Sequence, residues 1–339
     1  MVSSDALNRM KEKDLLKLRF CDLKLKIEGT VLQSRINKLY KELEAKGLLF
    51  RPHIWISEEW FTPDGVPGFA VPFYLLHPRL IRLERKMMYV AEGSSGKECM
   101  KILRHEAGHA IDHAFRLHFK KSWRETFGAF TTKYPKYYIP KPNSMDYVLH
   151  FNAWYAQAHP TEDFAETFAL WLAPGRKWEK RYEGWPALNK ILYVDSLMNS
   201  IKGQLQVNSN SIEDSPVSEM TKTLGEHYDH KCEYYSVDWP DVYDKELKRV
   251  FPGDMNNREL MKAVVFLQRS ARELRLLVSA GTGIHNYTLH QLLDEMIIRC
   301  RQLNLRLGYN EAETLKRTLI MLTVQTMNLI NTGIQRIAL

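Results

Sequence analysis

Residues 103–115 read Leu-Arg-His-Glu-Ala-Gly-His-Ala-Ile-Asp-His-Ala-Phe, and the five residues His105 to His109 decide the fold. On a helix, His105 and His109 stand four residues apart and project from one face, roughly 6 Å from each other. That spacing suits two imidazole ligands of one tetrahedral zinc ion, with Zn–N distances of about 2.0–2.1 Å. Glu106 lies one residue round the helix. It reaches a water at such an ion without being a ligand, which is the position of a general base. Ile102, Leu103, Ala110, Ile111 and Ala114 supply the apolar face behind the histidines, and the spacing predicts a helix over 97–118.

Two histidines do not complete a metal site. A metzincin would carry Gly and His further along the same run, where Asp112 and Phe115 stand. Downstream, His-Pro-Thr-Glu-Asp-Phe-Ala-Glu-Thr-Phe-Ala-Leu-Trp-Leu at 159–172 predicts a second helix, with Pro160 at its start and Pro174 beyond its end. Glu162 and Glu166 fall four apart on that helix and share a face. One carboxylate can ligate zinc while the other accepts the free N–H of a ligating histidine, fixing its tautomer.

HEAGHAID at 105–112 followed by EDFAETFA at 162–169 resembles the gluzincin metallopeptidases, and among them the anthrax lethal factor-like and Pro-Pro endopeptidases. A bacterial family of zinc-binding metallopeptidases is more similar still, through HPTEDFAETFA at 159–169 and PDGVPGFAVPFYLLHPRL at 63–80. The likeness covers residues 50–195 and extends to neither 1–45 nor 205–339. It implies Glu162 as third zinc ligand, with Asp163 beside it as a rival, and Glu166 behind a ligating histidine. It implies Asp112 as a further supporting carboxylate. Tyr155, seven residues before Glu162, takes the place of a phenol that donates to the oxyanion of the reacting carbonyl. The activity implied is zinc-dependent endopeptidase chemistry.

Around this core the sequence predicts an α+β chain: a zincin-like metallopeptidase domain, with a small sheet and active-site helices, and a mainly α-helical C-terminal region. Residues 1–49 form an N-terminal helical segment, 50–205 the metallopeptidase core, 206–253 a polar and then aromatic connection, and 254–339 the helical region. Within the core, 53–57 and 69–76 read as strands, and Pro72 places the second at a sheet edge. Phe69, Ala70, Val71 and Phe73 are then candidates to receive an extended peptide by strand addition. Residues 79–90 read as a third extended run. The C-terminal helices are expected over 254–281, 288–307 and from 310 onward, able to cap the cleft, pair two copies of the chain or receive a partner.

The balance of 48 Lys+Arg against 40 Asp+Glu gives a net charge of +8 and leaves acidic substrates, nucleic acid and anionic surfaces open. Lys120, Lys121, Arg124, Lys133, Lys136, Lys141, Arg176, Lys177, Lys180 and Arg181 flank the two site helices. They point to an electropositive rim and to acidic peptide or protein substrates. No zinc finger, aromatic RNA-binding signature or helix-turn-helix supports nucleic acid. No apolar run is long enough for a membrane span. Cys21, Cys99, Cys232 and Cys300 form no CxxC pair and read as free thiols, which with the absence of a secretory leader points to the cytoplasm. The competing reading is a non-catalytic zinc-site protein that binds a partner through its C-terminal helices. Such a site has no need of Glu106 or Tyr155.

Overall fold

The computed structural model describes residues 4–135, 138–175, 177–236 and 244–331. Lys136 and Arg176 of the expected basic rim, and part of the aromatic connection, lie outside them. The chain divides into two compact units, one of Met1–Met87 with Ala91–Asp229, the other of Met88–Val90 with His230–Leu339.

The first unit opens with two short helices, α1 (Ser4–Arg9) and α2 (Glu12–Leu15), and the longer α3 (Val31–Ala45). Thr30 caps α3 by accepting from the Gln33 N–H, and Leu32, Ile36, Leu39 and Leu43 form its buried stripe. Strands β1 (His53–Ser57) and β2 (Gly68–Pro72) pair in parallel, with His53 opposite Gly68 and Ser57 opposite Pro72. A side chain at Gly68 would collide with the His53 backbone, so the glycine sets how closely β2 starts against β1.

Two expectations fail here. The second strand stops at Pro72, and Phe73–Leu76 forms a 3-10 turn. Nor is 79–90 extended: Pro78–Met88 is helix α4. Pro78 suits a first helical position, the His77 Nδ1 accepts the Arg79 N–H, and Leu80, Leu83 and Glu84 are buried at helical spacing.

Next come α5 (Gly96–Phe115), α6 (Lys121–Phe127), α7 (Pro160–Leu172), α8 (Trp178–Arg181) and α9 (Ala187–Ser200). Helix α5 begins at Ser95, whose hydroxyl accepts the Glu98 N–H, and ends at Arg116 in a left-handed conformation. Helices α5 and α7 cross at Gly108. A Cβ there would lie 2.9 Å from the Ala165 Cα, so only glycine permits the approach.

Helices α10 (Leu224–Tyr235), α11 (Asp244–Val250), α12 (Ala263–Thr282), α13 (Asn286–Gln302) and α14 (Glu311–Asn331) complete the chain. In the second unit Leu247, Phe251, Phe266, Leu274, Leu292 and Leu322 share one core. Helix α12 starts at Ala263, nine residues after the expected Asp254. Asp254 and Asn257 spend their side chains on the Asn256 and Glu259 N–H groups, which holds the intervening backbone in turns. The chain is thus α+β, a small parallel sheet among helices together with a helical region. No described helix is long and apolar enough to cross a membrane.

Candidate metal centre

The histidines of α5 meet the first turn of α7. The His105 Nε2 lies 3.2 Å from the His109 Nε2 and 3.1 Å from the Glu162 Oε2, and the His109 Nε2 lies 3.3 Å from the same oxygen. The three atoms form a nearly equilateral triangle. Tetrahedral ligands at about 2.0–2.1 Å from a zinc ion stand roughly 3.3 Å apart, so the triangle has the dimensions of one tetrahedral face. Among the described residues this is the group of His, Cys, Asp and Glu side chains able to hold a metal ion.

The proton inventory of the site also fits a cation. The His105 Nδ1 faces the Glu166 Oε1 at 3.3 Å. A carboxylate only accepts, so the Nδ1 carries the ring proton of neutral His105 and the Nε2 presents a lone pair. That lone pair, the Glu162 oxygen and the His109 nitrogen converge on one point, where a shared cation would satisfy all three. Burial opposes a charge on His105, but Glu162 and Glu166 on either side outweigh it and push its pKa up to about 10. Burial would likewise raise Glu162, yet His109 and His105 hold it well below the usual carboxylate range.

Glu166 is fully buried, and its other oxygen accepts the Phe151 N–H at 2.9 Å. This fixes the carboxylate behind His105. Asp163 goes elsewhere: its carboxylate pairs with the Lys190 Nζ at 2.6 Å, and burial pushes it up to about 7 despite that partner. Glu106 is buried, and its Oε2 accepts from the Thr62 hydroxyl at 2.9 Å. Burial raises its pKa, partly offset by the two histidines. Tyr155, in a 3-10 turn over Asn152–Gln157, packs its ring 5.9 Å from the His105 ring. Burial and then the Glu162 charge keep its phenol protonated well above the ordinary value.

Two sequence expectations are corrected. Asp112 does not support the histidine pair. Its two oxygens take the His118 N–H at 2.8 Å and the His118 Nδ1 at 2.9 Å, tying down the chain where α5 ends. Phe69, Ala70, Val71 and Phe73 are fully buried, so their side chains belong to the core. The flank of β2 away from β1 is also bridged, the Ala70 N–H donating to the Phe61 carbonyl at 2.8 Å.

Thr62, Phe151 and Tyr134 join the site without a sequence signal that singled them out. Tyr134 donates to the Glu162 Oε1 at 2.5 Å. His159 precedes α7 and caps it, accepting the Thr161 N–H, and the Pro160 that follows it was the available hint.

Comparison with known proteins agrees with this geometry. Residues 96–179, which carry the histidines, Glu106, Glu162 and Glu166, match the model of a family described as "Putative zinc-binding metallo-peptidase". No curated protein and no solved structure matches the chain.

Proposed function

We propose that this chain, whose residues 96–179 match a family of zinc-binding metallopeptidases, is a zinc-dependent endopeptidase. The observation that carries the reading is the convergence of the potential ligand atoms of His105, His109 and Glu162 beside a buried carboxylate that is not part of the triangle, Glu106. His105, His109 and Glu162 would hold the metal. When bound, zinc supplies the Lewis acidity that makes water nucleophilic near neutral pH and polarises a peptide carbonyl.

The chain's own residues divide the remaining work. Thr62 occupies the Glu106 Oε2 and fixes the plane of the carboxylate, which leaves the Oε1 to accept the proton of the attacking water. Desolvation raises the basicity of Glu106, suiting it to hold that proton and return it to the leaving amine. Tyr155 keeps its proton and donates a hydrogen bond to the carbonyl oxygen as it gains charge. Glu166 holds the His105 ring through the Nδ1 and is itself held by the Phe151 N–H. Lys120, Lys121, Arg124, Lys133, Lys141, Lys177, Lys180 and Arg181 are exposed, and they support a preference for acidic peptides.

The test compares wild type with Glu106→Gln on a degenerate peptide library, with metal analysis of both. Both proteins should hold about one zinc per chain. Hydrolysis should fall by about 10²–10⁴-fold in the variant. A His105→Ala/His109→Ala control should lose the metal. Wild type that binds zinc yet is as inert as Glu106→Gln would remove the enzymatic reading and leave a metal-binding protein. Cleavage without preference for acidic sequences, and without salt dependence, would return the basic residues to a solvated surface.

A further inference from the structure

The two oxygens of the Glu162 carboxylate are used differently. The Oε2 faces His105 and His109, while the Oε1 accepts from the Tyr134 hydroxyl. We propose that Tyr134 is a positioning residue of the metal centre, whose phenol restricts Glu162 to one ligating oxygen and so keeps a coordination position open for substrate chemistry. The proposal rests on the metallopeptidase reading of the site.

The contacts around Tyr134 hold the phenol in this place. Its ring stacks on His159, with centroids 3.8 Å apart and planes inclined by 16°. His159 is fixed in turn. The Thr132 carbonyl can only accept, so the His159 Nε2 carries the proton and donates to it at 2.7 Å. The Nδ1 is then an acceptor, and it takes the Thr161 N–H at 3.2 Å as the cap of α7. The Thr161 hydroxyl lies 2.7 Å from that nitrogen and 2.5 Å from the Tyr134 hydroxyl. A carboxylate cannot donate, so the phenol proton points to Glu162, and the threonine proton goes to the His159 Nδ1 or to the phenol oxygen. Every proton in the chain finds an acceptor without drawing the phenol away from Glu162. Ligand, phenol and supporting imidazole are all tied to the first turn of one helix.

A carboxylate with two free oxygens can grip a metal through either or both. Turning the Glu162 Oε1 inward would break a charge-assisted hydrogen bond, the stronger kind, so the one-oxygen arrangement is favoured. An open position is what separates catalytic zinc sites from closed structural ones. Because Tyr134 is 52% exposed, removing its hydroxyl leaves no hole in the core. Phenylalanine preserves the stack on His159 and deletes the hydroxyl's contacts with Glu162 and Thr161, of which only the first bears on the metal ligand.

The experiment uses the full chain, stripped of metal and reloaded with zinc or cobalt(II), as wild type and as Tyr134→Phe. Chelator competition should show zinc affinity lowered by roughly 10–100-fold in the variant. The visible absorption of the cobalt-loaded variant should lose the intensity of a four-coordinate site as the second carboxylate oxygen enters. The metal-free variant should melt at the wild-type temperature, whereas a merely structural tyrosine would lower that temperature and leave the cobalt spectrum alone. Wild-type zinc affinity together with a wild-type cobalt spectrum in Tyr134→Phe would overturn the proposal. If wild type takes up neither metal, the metallopeptidase reading itself falls, and the two failures are distinguishable.

Discussion

Helices α5 and α12 each run for 20 residues, and they use their length in opposite ways. Helix α5 buries 14 of its residues, among them Arg104, His105, Glu106 and Asp112. Helix α12 buries six, five apolar ones and Thr282. The contrast extends to the units that hold them. In the second unit Thr282, Thr288, Thr314 and Thr318 are buried, and each hydroxyl donates to a backbone carbonyl. The buried Arg306 guanidinium likewise goes to the Met255 and Leu260 carbonyls. These groups satisfy themselves locally, through backbone carbonyls. On α5 the buried His105 is instead held between two carboxylates, its Nδ1 3.3 Å from the Glu166 Oε1 and its Nε2 3.1 Å from the Glu162 Oε2, with Glu106 buried beside it. Desolvated charge is costly, and its concentration at one point is what singles out the candidate metal centre.

Titration would sharpen that contrast. The second unit has its own half-buried histidine, His285, which stacks on Tyr235 with centroids 4.0 Å apart. Burial, helped by the charge of Lys231, pushes its pKa down to about 3. The Nδ1 accepts the Tyr287 N–H and caps α13. An unfolded histidine titrates near 6.5, so between that pH and about 3 the unfolded chain binds the extra proton. Stability of the second unit is therefore complete above about pH 6.5 and falls on acidification, by about 2 kcal/mol at pH 5. His285→Asn retains an N-cap acceptor and removes the titration. The protection factors of α13 amides, taken against the intrinsic exchange rate at each pH, should fall by about 30-fold from pH 7 to pH 5 in wild type, and not in the variant. Equal acid slopes would show that His285 is a bystander and that the second unit is less self-contained than its hydrogen bonds suggest.

How far the sequence reached follows the same division. His105, Glu106 and His109 are legible because their relation is local: one helix period fixes three roles. Glu162 and Glu166 are legible as a pair for the same reason, but their pairing with α5 depends on a helix crossing that needs Gly108. Tyr134 and Thr62 are not legible, because they reach Glu162 and Glu106 across 28 and 44 residues of chain. The reading of Phe69–Phe73 as a receptive edge failed for another reason. Pro72 marks where backbone pairing ends, and it says nothing of what covers the strand. Phe61 and helix α5 do that. Asp112 was placed by resemblance alone, and its nearest need proved to be the free N–H of His118 just past the end of α5.

Two glycine substitutions would test the comparison of helices directly. Gly108→Ala sets a methyl group 2.9 Å from the Ala165 Cα and 3.2 Å from the Phe168 Cδ1. The first neighbour is backbone and cannot turn aside. Overpacking of this kind costs about 1–3 kcal/mol, against a gain of about 1 kcal/mol in helix propensity. The net effect should be a loss of about 1 kcal/mol, with zinc affinity weakened as α7 and Glu162 are displaced from the histidines. Gly281→Ala is the same chemical change near the end of α12, and its methyl group meets nothing within 4 Å. There the propensity gain stands alone, reduced by the helix end to about 0.5 kcal/mol of added stability. Denaturant midpoints at constant m-value should therefore move in opposite directions for the two variants. A stabilising Gly108→Ala would show that α5 and α7 can separate without cost, and the metal triangle would lose its rigid support. A destabilising Gly281→Ala would reveal a packing partner for that stretch of α12, which is the simplest evidence that its exposed face is covered in solution.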